Sequence, residues 1–128
     1  MREILFKAKR IDNGEWVEGG YSYCKKDDTH FITQMSKDHI SYISRHQQVD
    51  PNTISQWTGL VDKNGNKICE NDIIVVNERY KGKVVWSEVW THYMVIGEEN
   101  VVIAIHKRWD DVYEVIGNIF DNPELIER

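Results

Sequence analysis

The chain has 128 residues, 41% hydrophobic and 29% charged, the make-up of a soluble globular protein of one domain. Its formal net charge of -5 argues against nucleic-acid binding through bulk electrostatics, because neutralising phosphates takes clustered Lys and Arg. No apolar run approaches the ~20 residues of a membrane span. Cys24 and Cys69 form neither a CxxC nor a finger spacing and read as buried free thiols. The start, Met-Arg-Glu-Ile-Leu-Phe-Lys, carries charge where a signal peptide would be apolar, so the expectation is a cytoplasmic protein.

Taken in order, residues 2–11 alternate, with Ile4, Phe6 and Ala8 on one face and Glu3, Lys7 and Lys9 on the other. That period of two predicts a half-buried strand. Asp12-Asn13-Gly14 supplies a turn, and residues 15–24 return as a second strand on which Val17, Tyr21 and Tyr23 share a side. Gly19-Gly20 in its middle predicts a bulge or bend. Residues 25–50 have a weaker pattern and read as a variable insertion. Within it, Phe31-Ile32 and residues 40–43 can each form a short strand around a polar turn at Ser36-Lys37-Asp38. His30, His39 and His46 lie there too, but their spacing matches no ligand motif, so neither metal nor cofactor is expected.

Pro51 forces Asp50 into an extended conformation. Residues 54–60 then read as a short strand and residues 62–67 as a hairpin turn with Asn64-Gly65 at its tip. Ile73-Ile74-Val75-Val76 is a continuous apolar run, as in a strand covered on both sides. Residues 78–81 read as a loop, and Gly82-Lys83-Val84-Val85-Trp86 opens the next strand. Further strands are expected over 89–96, 101–105 and 112–120, with turns at 87–88 and 97–100, a loop at 107–111 and a bend at Gly117. Asp121 or Asn122 can cap a short terminal helix begun by Pro123.

Three blocks resemble the YopX family of phage and prophage proteins. The central one runs Val49-Asp50-Pro51-Asn52-Thr53-Ile54-Ser55-Gln56-Trp57-Thr58-Gly59-Leu60, then Asp62-Lys63-Asn64-Gly65, then Ile68-Cys69-Glu70-Asn71-Asp72-Ile73. It is similar to the pattern T-[VI]-G-Q-[YF]-T-G-L-x-D-K-N-G-x-x-I-[YF]-E-G-D-I. Phe6-Lys7-Ala8-Lys9-Arg10 with Asn13-Gly14-Glu15-Trp16-Val17 resembles the family's opening hairpin, and residues 114–125 resemble its closing segment. The departures are Ser55 for Gly, Cys69 for an aromatic, and Asn71 for Gly. Asn is the commonest non-glycine visitor to positive φ, so Asn71 predicts a backbone turn. The resemblance implies a mainly β single domain over 1–128, built around an SH3-like barrel with its core in 51–120. It adds an N-terminal hairpin and a short C-terminal helix, and it transfers no catalytic residues.

The central block contains the candidate ligand residues Gln56, Trp57, Thr58, Glu70 and Asp72. Their competing reading is structural: Trp57 covers core, Gln56 and Thr58 satisfy edge backbone, and Asp62 and Asp72 belong to turns. Glu70 and Asp72, two apart on a strand, would face the same way as a hydrolase's acid–base pair, but no nucleophile or His accompanies them. Trp16, Trp57, Trp86, Trp90 and Trp109 suit core and subunit-interface packing. The alternative is a local nucleic-acid face of Lys81, Lys83, Trp86, Lys107, Arg108 and Trp109. The expectation is therefore a non-enzymatic phage or prophage accessory module that forms a homo-oligomer, since open strand edges must be covered or paired. Its further partner would be an unidentified host or phage protein.

Overall fold

The computed structural model describes residues 3–35, 44–97 and 101–126, and all regular structure among them is antiparallel strand or short 3-10 turn, with no α-helix. The chain divides into two compact units, Met1–Gln56 and Trp57–Arg128, each with its own apolar core.

The first unit holds β1 (Phe6–Lys9), β2 (Trp16–Cys24), β3 (Thr29–Met35) and β4 (Ser44–Gln48), paired in chain order. The outer side of β1 takes Ser55 and Gln56, the first residues of β5 (Ser55–Val61). Ala8 stands opposite Val17, and strand alternation brings both together with Ile32 and Val49 into a core that Phe6 and Ile54 flank. The opening hairpin and its turn are as expected, Glu15 N–H donating to Asn13 Oδ1 at 2.9 Å. β2 runs as one strand, with no register shift, through the Gly19-Gly20 pair where a bulge or bend is expected; Gly19 instead allows a close approach, since a Cβ there would lie 2.2 Å from the Thr33 carbonyl oxygen. Past β4 the chain returns to β1. Arg10 bridges Val49, Ile11 N–H donates to Gln48 O at 3.1 Å, and Asp50 N–H donates to Lys9 O at 2.9 Å. Phe31-Ile32 falls in β3, whereas the short strand expected at residues 40–43 lies outside the described residues.

The second unit continues β5 and adds β6 (Lys67–Cys69), β7 (Asp72–Val76), β8 (Tyr80–Ser87), β9 (His92–Gly97), β10 (Val102–Ala104) and β11 (Tyr113–Asn118). Five of them form a sheet in the order β10-β9-β8-β7-β11. Ile68, Ile74, Val76, Val84, Val95, Ile105 and Tyr113 are its buried core. The Ile73–Val76 run behaves as its unbroken hydrophobicity requires, with only Val75 half-exposed.

Three further expectations need correction. Among the described residues the SH3-like barrel does not close. The outer edge of β11 is taken by the 62–66 turn, where Lys63 N–H donates to Tyr113 O at 3.0 Å, and β10 ends after three residues. The C-terminal helix is a single 3-10 turn, Pro123–Leu125. Asn122 makes no side-chain cap to it, because its Oδ1 accepts from Asn118 N–H at 3.2 Å instead. The tryptophans whose side chains are described stay out of both buried cores: Trp16 and Trp57 are half-buried, Trp86 and Trp90 exposed.

Candidate functional site

The central block resolves into a backbone clasp. Trp57 pairs with Cys69 and Val61 with Lys67, so β5 spends four residues where β6 spends two, and the excess is a bulge around Gly59. Gly59 has φ +91°, which a side chain would resist. Thr58 Oγ1 donates to Ile68 O at 2.7 Å and accepts from Leu60 N–H at 3.2 Å, and Trp57 Nε1 donates to Leu60 O at 2.8 Å. Gln56 is half-buried opposite Phe6.

Asp62 carries the turn that follows. It is 4% exposed; Oδ1 accepts from Asn64 and Asn66 N–H at 2.9 and 2.8 Å, and Oδ2 from Val115 N–H at 2.9 Å. Burial pushes its carboxyl up, but the backbone donors of Val115, Asn66 and Asn64 outweigh that and hold it below the usual carboxylate range. The tip is a three-residue loop in which Gly65, at φ +83°, donates to Asp62 O at 3.0 Å.

Glu70 and Asp72 do not share a strand face. Asn71 between them has φ +69°, the turn its identity predicts, so the alternation argument fails there. Asp72 is 1% exposed, and its Oδ2 accepts from Cys69 N–H at 2.8 Å. Glu70 is half-buried on the turn itself.

The basic-aromatic set is divided too. Lys81 and Lys83 lie on one face of β8, while Trp86, opposite Tyr93 and edge-on to its ring at 4.9 Å, belongs to the other. Lys107 is exposed, and the side chains of Arg108 and Trp109 lie outside the described residues. Of the histidines, Nδ1 of His30 meets Tyr21 OH at 2.6 Å and Nδ1 of His46 meets Thr33 Oγ1 at 2.9 Å. His39 lies outside the described residues. Cys69 is buried, but Cys24 is only half-buried; neither is in a disulfide.

Among the described residues, clefts flank the turn joining β7 to β8. A cleft of about 540 Å³ has Val75, Val95, Val101 and Ile103 as apolar wall, with Glu78, Arg79, Tyr80 and Lys81 at its lip. A second, of about 390 Å³, lies between Lys63, Glu78, Asp111 and Glu114, where Lys63 and Glu114 pair at 3.0 Å. Asn77 and Glu78 both have positive φ, +53° and +56°, and Arg79 N–H donates to Val76 O at 3.1 Å. This is the tight mirror-image turn that matches strand twist. Residues 78–81 read as loop from sequence because the turn lacks glycine; Asn77 between two apolar runs was the available signal.

A family model described as "YopX protein" matches residues 5–127. The crystal structure of protein EF1440 from Enterococcus faecalis is similar with a TM-score of 0.63 at 24% identity, covering 99% of this chain and 100% of that one. At that identity the likeness speaks for the fold alone. No curated protein matches the chain.

Proposed function

The chain belongs to the YopX family, and from that premise we propose that it is a non-enzymatic binding module that self-associates. In this reading residues 1–128 act as one domain of a phage or prophage accessory protein, in the cytoplasm of the bacterial host, holding a host or phage protein.

The observation that supports self-association is β10. Gly97 N–H donates to Val101 O and Ile105 N–H to Tyr93 O, so residues 101, 103 and 105 turn their backbone groups toward β9. Antiparallel geometry then aims those of Val102 and Ala104 outward. Among the described residues no strand covers them, whereas the opposite edge of the sheet is occupied by the 62–66 turn. Val101 and Val102 are 36% and 51% exposed, an apolar and unprotected edge of the kind another strand pairs with.

Light scattering on a sizing column tests this. At micromolar concentration the mass is expected to be a multiple of 15.1 kDa, falling to 15.1 kDa in Val102→Pro, which removes an outward N–H. A wild-type monomer ends the self-association reading.

A further inference from the structure

We propose that the edge of β10 pairs antiparallel with the β10 of a second copy about a two-fold axis at Ile103, closing a dimer. The proposal rests on the self-association reading above and adds to it the register, the symmetry and the number of copies.

Hydrogen-bond geometry fixes the register. Ile103 turns its backbone groups toward Val95 of β9, so Val102 and Ala104 are the residues of β10 whose groups point outward. In an antiparallel pair, outward residues stand opposite outward residues. That leaves Val102 against Val102, Ala104 against Ala104, or Val102 against Ala104. Only the last engages both residues of each copy within β10, because every Val102–Ala104 pair exchanges its N–H and C=O groups in both directions. Pairing at Ala104 alone would have to extend toward His106, whose N–H already donates to the Tyr113 hydroxyl at 3.2 Å. A two-fold axis at Ile103 makes the edge its own complement, the condition for an interface that closes at two copies.

Side chains select a second copy as the occupant. Residues 101–105 carry no charge, on a chain that is 29% charged. A charge beside a two-fold axis meets its own copy, and like charges facing across strands are destabilising, so an uncharged run suits self-pairing. Val102 stands beside Ile96 and Ala104 beside Met94, so these four share one face of the sheet. Val102 and Ile96 are 51% and 36% exposed. The two-fold sets the branched Val102 of one copy against the small Ala104 of the other, and the apolar stripe then runs from Ile96 of one copy to Met94 of the other. On the opposite face, Ile103 meets its own copy in a non-hydrogen-bonded pair, where side chains come closest.

Disulfide trapping tests this, in a Cys24→Ser background that leaves the buried Cys69 in place. In the proposed register two Ile103→Cys copies hold their Cα atoms about 4.5 Å apart, within disulfide reach. Two copies of Val102→Cys, or of Ala104→Cys, lie on a diagonal of about 7–8 Å, beyond that reach. Mild oxidation should therefore link Ile103→Cys at least about tenfold more than either of those variants alone. Val102→Cys and Ala104→Cys mixed before oxidation sit about 5.5 Å apart and should link to each other. Both lie on the exposed face, so the mixture decides the register even if Ile103→Cys disturbs the core that Ile103 packs against. Light scattering on the reduced background protein should give twice 15.1 kDa. Self-linking of Val102→Cys or of Ala104→Cys reveals another register and overturns the proposal. So does a dimer that neither Ile103→Cys nor the mixture links, and so does a mass above two copies. A monomer overturns the self-association reading itself, so mass and linkage pattern tell the two failures apart.

Discussion

The two units spend their strand edges differently. In the first, the chain beyond β4 returns to the end of β1 through the Arg10–Val49 bridge, so the ends of the sheet are tied within the unit. In the second, β11 is covered by the Asp62 turn while β10 is left with outward backbone groups and exposed valines. Their cores differ as well among the described residues: four small or medium buried side chains cluster in the first unit, seven with a fully buried tyrosine in the second. Edge closure and core size are thus separable solutions. Among the described residues, the unit with the smaller buried cluster ties its edges, and the one with the larger cluster keeps an edge and a cleft open.

The largest expected effects come from cutting into each core. Tyr113→Ala should cost about 4 kcal/mol and Ile32→Ala about 3 kcal/mol, both read from urea unfolding. Tyr113 also loses its hydroxyl, which accepts from His106 N–H at 3.2 Å. Ile32→Ala should abolish hydrogen-exchange protection in β1–β4 while β7–β9 keep theirs. Simultaneous loss in both would show that the units unfold as one and break the contrast.

Next comes the clasp. Asp62→Ala strands three backbone donors and should cost about 2–3 kcal/mol. Its pH dependence has a definite sign. The folded carboxyl lies below its ordinary value, so its stabilisation is complete above about pH 4 and is lost as the pH falls through the folded value. Melting followed by circular dichroism from neutral pH to pH 2 should show that loss in the wild type and a flatter acid limb in Asp62→Asn. Equal acid limbs would remove Asp62 from the account of how the second unit closes β11.

The smallest effect is at the bulge. Gly59→Ala should cost about 1 kcal/mol, because alanine resists φ +91° although the site has room for a methyl group. A neutral result would mean that the bulge is held by Thr58 and Trp57 alone.

The candidate site was less legible in the sequence than the fold. Gln56, Trp57, Thr58 and Asp72 stood out as a motif, yet the polar groups of Trp57, Thr58 and Asp72 bond to backbone, the structural reading of that block. Arg79 and Tyr80 looked like ordinary loop residues and became a lip only where the hairpin turned between walls from β9 and β10. A motif signals a constraint on the chain, and here the constraint is a bulge and a turn.

The sequence by itself determined the antiparallel β class, the opening hairpin, the positive φ of Asn71 and the family. All of these rest on alternation, turn chemistry or residue order, which act between neighbours along the chain. The tertiary structure alone decided that Val115 donates to Asp62 across 53 positions and that, among the described residues, no barrel closes and β10 keeps an open edge. Those depend on which distant backbone groups meet, and a hydrogen-bond donor carries no local mark of its eventual acceptor.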